Sequence, residues 1–170
     1  AEHDAPSNRQ FLVSMAMIVL VSAMAPVVQV IWQQGELESL GLGIPLKVIT
    51  GLIVWFGMGL VVSNLAYAYT GRARFKTFLT LSAMSSLPWV LMAPLALLKV
   101  GLGPLGGVVG FSAGLFIWGW SVFLFGMAIS VAYNLSAEKV MIILAMPFIF
   151  TLVAFGWIFS FFINLGHILP

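Results

Sequence analysis

Long apolar runs separated by short polar connections make up most of this chain. Each run is long enough for a membrane span, since about 20 helical residues cross a hydrocarbon core roughly 30 Å thick. The runs are continuous, whereas strands of a membrane barrel alternate in polarity over about ten residues. The pattern predicts an all-α polytopic membrane helical bundle with five transmembrane helices, at about residues 11–32, 48–69, 78–98, 111–133 and 140–165.

The composition excludes a soluble fold. Hydrophobic residues make up 62% of the chain and charged residues 7%, whereas soluble domains are roughly 45–50% apolar and about 25% charged. A soluble chain of 170 residues has no means of burying that much apolar surface. Cysteine is absent from the sequence, which excludes disulfides, thiolate nucleophiles and cysteine-ligated metal sites.

The basic residues predict the orientation of the chain. Three of the seven Lys and Arg residues lie within residues 71–76, between the second and third runs. Connections on the cytoplasmic side of a membrane are enriched in Lys and Arg. If the polar tail of residues 1–10 is cytoplasmic, that side holds five cations and the other side holds two: Arg9, Arg72, Arg74, Lys76 and Lys139 against Lys47 and Lys99. We therefore predict a cytoplasmic N-terminus, with the short tail of residues 166–170 on the opposite side.

The basic connection is also a candidate contact site. Arg72, Arg74, Phe75 and Lys76 place three cations and a ring at the membrane surface, where each cation contributes about 1 kcal/mol near an anionic leaflet. An acidic partner or an anionic lipid would suit this segment. The alternative is that these charges only fix the topology.

Prolines lie inside three of the predicted spans. Proline removes one amide donor and pushes away the carbonyl of the preceding turn, so it kinks a helix. Kinks are accordingly predicted at Pro26, Pro88, Pro94 and Pro147. Such kinks are common in membrane helices and need no functional role.

Glycines are concentrated around the start of the fourth span. The connection of residues 99–110 is rich in Gly and Pro and poor in polar groups, so it either dips into the membrane or leads directly into span four. Gly106, Gly110 and Gly114 follow one another at four-residue spacing. This spacing favours close helix packing, within one chain or between two chains.

The sequence contains no pattern of catalytic or metal-binding residues. No Asp, Glu, Lys or Arg falls well inside a predicted span, and Gln29, Asn64 and Asn164 lie toward span ends, where interhelical hydrogen bonding is favoured over a substrate site. His3 and His167 are the two histidines and fall on opposite sides of the membrane in this topology. We predict no enzyme activity, no cofactor, no metal and no nucleic-acid partner.

The segment of residues 71–88, GRARFKTFLTLSAMSSLP, resembles part of the YIP (Ypt-interacting protein) family. In that family a glycine-containing basic and aromatic loop enters a span that ends near a proline. The second half of the chain is also similar, with an aromatic span, a short polar turn and a span with an early proline; the matching residues are Trp118, Trp120, Leu124, Gly126, Leu135, Ser136, Lys139 and Pro147. The resemblance implies a single YIP-like transmembrane domain over residues 11–165.

The resemblance implies partners rather than a reaction. Eukaryotic relatives act in vesicle trafficking with Rab-type GTPases and associate with one another, whereas bacterial relatives have no settled activity. The short polar tail here is more typical of a compact prokaryotic member, in which GTPase binding is not expected. An inner-membrane location is implied for such a member.

Three functional hypotheses remain open. The leading one is a non-enzymatic scaffold or accessory subunit of a larger membrane complex, with membrane lipids and other membrane protein subunits as partners. The second is a transporter or channel component with a site between proline-kinked helices. The third is an accessory subunit of a pigment- or haem-containing energy-converting complex, in contact with the pigment through His167 or a tryptophan.

Overall fold

A computed structural model describes residues 6–33, 40–147 and 149. All regular structure in these residues is helical, in the order α1 Asn8–Gln33, α2 Leu40–Thr70, α3 Phe75–Ser82, a 3₁₀ segment Ala83–Leu91, α4 Met92–Leu102 and α5 Pro104–Tyr133. A sixth helix, α6, begins at residue 137 and is described as far as residue 147.

Within the described residues, four helical stretches are long and apolar enough to cross a membrane. They are Asn8–Ile31, Gly41–Thr70, Phe75–Leu102 and Leu105–Tyr133. The prediction of an all-α, multi-pass membrane bundle is therefore confirmed. Most of the fifth predicted span, residues 140–165, lies outside the described residues.

Helices extend into two of the connections between predicted spans. The second predicted span starts at about residue 48, but α2 already begins at Leu40. Helix α4 runs to Leu102 and α5 starts at Pro104, so the Gly-rich connection is reduced to Gly103. Gly103 has a φ of 56°, which glycine adopts without steric cost, and the fixed φ of proline suits the first position of α5. Glycine opposes helix in water, but it is frequent in membrane helices.

The third span changes its winding near its middle. Nine residues, Ala83–Leu91, form a 3₁₀ helix with Pro88 inside it, although 3₁₀ runs beyond three or four residues are uncommon. Proline supplies no amide donor at this point. The hydroxyls of Ser85 and Ser86 donate to carbonyls three residues earlier, at 2.6 and 2.7 Å, and so support the tighter winding.

The starts of α1 and α3 and the end of α5 lie at one end of the bundle. Lys76 Nζ donates a 2.9 Å hydrogen bond to Asn8 Oδ1. Arg74 donates a long bond of 3.5 Å to the carbonyl of Ala132, where a cation is favourable because the last carbonyls of a helix carry partial negative charge. We call this the basic end.

The buried core lies toward the basic end. Its buried residues come from α2, α3, α5, α6 and the turn before α6: Val62, Ala66, Phe78, Ala128, Ile129, Ala132, Tyr133, Leu135, Val140 and Ile143. Phe78 lies at the centre of this cluster and meets the Phe125 ring edge to face at 5.5 Å. Helix α1 is joined to the same bundle by a 3.0 Å hydrogen bond from Ser14 Oγ to the carbonyl of Thr80.

Candidate functional site

A cavity of about 440 Å³ lies between α2, the 3₁₀ segment, α5 and α6. Among the described residues, its polar and aromatic lining consists of three tryptophans, three serines and one phenylalanine: Trp55, Trp89, Trp118, Ser85, Ser86, Ser121 and Phe125. Val62 and Ile143 line it too and belong to the core cluster, so the cavity lies directly against the packed core. Its volume falls within the range of about 300–1,000 Å³ that is typical of small-molecule sites.

The unusual winding around Pro88 forms one wall of the cavity. Residues three apart share a face of a 3₁₀ helix, and Ser86 and Trp89 are so placed and both line the cavity. Pro88 itself is buried. In the 3₁₀ segment Ser86 and Trp89 are eclipsed, whereas in an α-helix they would be offset along the same face.

The α2 wall of the cavity is joined to the third span by a hydrogen bond. Trp55 Nε1 donates to Ser82 Oγ at 3.0 Å, and that hydroxyl in turn donates to the carbonyl of Leu79 at 3.1 Å. The Phe11 ring stacks on Trp55 with 6.2 Å between centroids. The indole of Trp55 is thus fixed between α1 and the third span.

Ser121 is the serine of the cavity lining whose hydroxyl has no hydrogen-bond partner among the described residues. Its side chain is 9% exposed, and among the described residues its Oγ is a buried oxygen without a hydrogen bond. Three hydroxyls of the described helices donate to the carbonyl four residues earlier: Thr50, Thr70 and Thr80. An unsatisfied buried hydroxyl costs about 1–3 kcal/mol, so the cavity wall holds a hydroxyl with unused hydrogen-bonding capacity.

The cavity lies near the middle of the membrane-spanning stretches along the chain. Trp55 is close to the middle of the span Gly41–Thr70, and Trp118 and Ser121 are close to the middle of Leu105–Tyr133. Tryptophan is normally enriched at the two membrane interfaces. The tryptophans of the cavity are therefore not residues of an aromatic belt.

The chemistry of the lining suits a neutral molecule. The described residues of the lining are uncharged, and its polar groups are hydroxyls and indoles. A carboxylate or ammonium group would lose its hydration here without gaining an opposite charge, which is costly. The arrangement can hold and orient an uncharged molecule.

The basic loop is partly engaged in contacts within the chain. Arg74 and Lys76 donate to Ala132 and Asn8 as described above, whereas Arg72 is exposed. Phe75 is half-buried and meets the Phe56 ring edge to face at 5.2 Å. The contact site predicted at residues 72–76 thus remains a prediction, in which Arg72 has the most accessible charge.

The predicted glycine ladder has unequal surroundings. A side chain at Gly106 would collide with the backbone of Lys99, so α4 and α5 approach closely there. Gly110 is buried on the same helix. Gly114 has open space around it, because a methyl group at this position would meet nothing within 4 Å.

The predicted kink positions occupy different environments. Pro26 is buried inside α1, which continues past it, and Pro94 lies in the first turn of α4. Pro88 lies in the 3₁₀ segment, and Pro147 lines the cavity. Two of the four predicted positions are therefore associated with the cavity.

The other polar candidates are apart from the cavity. Asn64 is exposed and donates to the carbonyl of Leu60 in its own helix, and Gln29 is also exposed. Asn164, His3 and His167 lie outside the described residues.

Sequence reasoning did not select Ser85, Ser86, Trp89 or Ser121 as site residues. One available signal was the depth of the tryptophans, because mid-span tryptophan departs from the usual interfacial pattern. A second was the cluster of serines directly before Pro88. Neither signal identifies Ser121, whose Oγ is buried without a hydrogen bond among the described residues.

A second surface feature lies on the outside of α5. Phe116, Trp120 and Phe123 surround Gly119, and together with Leu115 they form a shallow apolar hollow of about 340 Å³. Phe116 and Phe123 are 65% and 64% exposed. A methyl group at Gly119 would meet nothing within 4 Å. We call these five residues the outer aromatic face.

Comparison with known proteins gives one family. The family model of the Yip1 domain matches residues 5–158. No curated protein and no solved structure matches the chain.

Proposed function

Since the chain belongs to the Yip1 domain family, we propose that it is a non-enzymatic membrane scaffold or accessory subunit that packs against a helix of another membrane protein. The observation that carries this proposal is the outer aromatic face of α5 with Gly119 at its centre. Small residues on a lipid-facing surface let a second helix approach closely.

The shape of the outer aromatic face favours a helix over lipid chains. Gly119 leaves a depression between large rings, and the Phe116 and Trp120 rings pack together with 5.7 Å between centroids. In a bilayer, helices associate through van der Waals packing and not through loss of contact with water. A side chain or backbone ridge of a partner helix would fill this depression, with the rings as its sides.

The orientation that goes with this proposal places the basic end in the cytoplasm. Arg9, Arg72, Arg74 and Lys76 lie at or next to that end, and Lys139 lies near the start of α6, which follows α5 there. The positive-inside rule supports this side as cytoplasmic. We further propose a prokaryotic inner membrane as the location, and the proposal does not include GTPase binding.

Site-specific photo-crosslinking in native membranes tests the scaffold proposal. A photoreactive amino acid at Phe123 is expected to give a discrete adduct with another membrane protein, whereas the same group at Leu12, an exposed position of α1, gives lipid adducts. Gly119→Leu fills the depression and should abolish the adduct, while Ala16→Leu, a matched change at an exposed position of α1, should leave it intact. Equal adducts from both positions, or adducts insensitive to Gly119→Leu, would overturn the proposal.

The cavity favours a second candidate function, a transporter or channel component. It lies between elements that contain Pro88 and Pro147, and interrupted helices often frame binding sites in transporters. Solute flux in reconstituted vesicles that is reduced by Pro88→Ala and unaffected by Pro94→Ala would support this candidate. Absence of flux for neutral solutes would reject it.

A further inference from the structure

We propose that the mid-membrane cavity binds one uncharged lipid with a flat, carbonyl-bearing ring, of the isoprenoid quinone class. In this site the Ser121 hydroxyl donates to a ring carbonyl, and the ring lies against the faces of Trp89 and Trp118. The proposal is independent of the outer aromatic face, because the two features lie on different surfaces of α5.

The hydrogen bonds of the serines that line the cavity favour a ligand with a hydrogen-bond acceptor. The hydroxyls of Ser85 and Ser86 already donate their protons to backbone carbonyls. Ser121 is the serine of the lining whose proton is unused. Its Oγ is buried below the cavity surface, so binding includes a rotation of this side chain toward the ligand. In that rotamer the hydroxyl would donate to a carbonyl oxygen of the ligand.

The tryptophans that line the cavity favour a ligand with a flat ring. Trp89 and Trp118 both line the cavity, and 39% and 52% of their surfaces are not covered by the described protein. Aromatic rings pack well in offset or edge-to-face arrangements with other planar groups. A flexible acyl chain would fill the volume, but it would leave the Ser121 hydroxyl without an acceptor.

The depth of the cavity and its uncharged lining argue against phospholipids as specific ligands. Ser121 lies close to the middle of its span, whereas the charged headgroups and ester groups of phospholipids lie at the membrane surface. The described lining is uncharged, and a charged group at this depth is costly. A neutral ring on an apolar chain can reach the middle of the bilayer with its carbonyl groups.

Binding of decylubiquinone to the purified full chain tests the proposal. Native mass spectrometry from detergent micelles should show one saturable decylubiquinone per chain. Ser121→Ala is expected to weaken binding about fivefold, the loss for one hydrogen bond of about 1 kcal/mol. Ser112→Ala, at an exposed position of the same helix that does not line the cavity, should bind as the wild type does.

The unfolding temperature, measured with and without decylubiquinone, shows whether each variant is folded and whether it binds the ligand. Decylubiquinone should raise the unfolding temperature of the wild type and of Ser112→Ala more than that of Ser121→Ala. Without ligand, Ser121→Ala should be at least as stable as the wild type, because it removes an unsatisfied buried hydroxyl. Unsaturable decylubiquinone uptake, equal affinity for Ser121→Ala, or preferential retention of phosphatidylcholine would each overturn the proposal.

Discussion

The phenolic hydroxyl of Tyr133 donates a 2.7 Å hydrogen bond to Ser63 Oγ and so joins the end of α5 to α2. Both residues are buried, and the two positions are 70 residues apart in the chain. The Tyr133 ring also packs beside Phe78, with 6.0 Å between centroids. The hydrogen bond between Tyr133 and Ser63 therefore lies directly beside the apolar core.

Tyr133→Phe should destabilise the protein modestly. The substitution keeps the ring but removes the donor, and interhelical hydrogen bonds in membrane proteins average about 0.6 kcal/mol with a maximum near 1.7. We expect a loss of that size in the free energy of unfolding, measured by denaturant titration in mixed micelles. Tyr69→Phe, at an exposed tyrosine, is the control and should change little; equal effects of both variants would contradict the assigned role of Tyr133.

Gly106→Ala should be more disruptive than Gly107→Ala, although the two positions are adjacent. A methyl group at Gly106 would collide with the backbone of Lys99, which cannot rotate away as a side chain does. Overpacking of this kind costs about 1–3 kcal/mol. At Gly107 nothing lies within 4 Å, and alanine is the better helix former, so this variant should be as stable as the wild type or more stable. Thermal unfolding in detergent distinguishes the two.

Cysteine labelling should place residues 73 and 105 on opposite sides of the membrane. The chain has no native cysteine, so Ala73→Cys and Leu105→Cys each introduce one thiol. Ala73 belongs to the basic loop, whereas Leu105 starts the span that follows Gly103 at the other end of the third span. An impermeant maleimide added to intact cells should label Leu105→Cys only. Labelling of both from the same side would reject the topology.

Arg72→Gln should weaken binding to anionic lipid. Arg72 is exposed, whereas Arg74 and Lys76 donate hydrogen bonds within the chain. One juxtamembrane cation contributes about 1 kcal/mol near an anionic surface, which corresponds to about a fivefold change in affinity. Native mass spectrometry with phosphatidylglycerol measures this change in affinity. Lys47→Gln, in the first turns of α2 away from the basic loop, removes the same charge as a control; equal losses would show that only net charge matters.

The sequence was sufficient for the membrane architecture because hydropathy is a local property. Each described span can be recognised from its own residues, and the position of Arg72, Arg74 and Lys76 between two of them predicts an orientation without reference to packing. The family resemblance was also readable from residues 71–88, and the match over residues 5–158 confirms it.

The extent of the helices was less predictable. Glycine and proline around Gly103 indicated a connection of about twelve residues, but the structure interrupts the helices at a single glycine with positive φ. The turn propensity of glycine is measured in water, where an unpaired backbone group can be hydrated. In a bilayer an unpaired group is costly, so the helices extend until the chain has to reverse.

The cavity was decided by tertiary structure alone. Ser121 and Thr80 are both hydroxyl residues in apolar helical surroundings, yet Thr80 donates to the carbonyl of Lys76 while Ser121 is left without a partner. The sequence determined that this chain crosses a membrane, with its charges at the span ends, because those properties are sums over neighbouring residues. Which three tryptophans and which serines line one cavity depends on how the faces of separate helices meet around the 3₁₀ segment at Pro88.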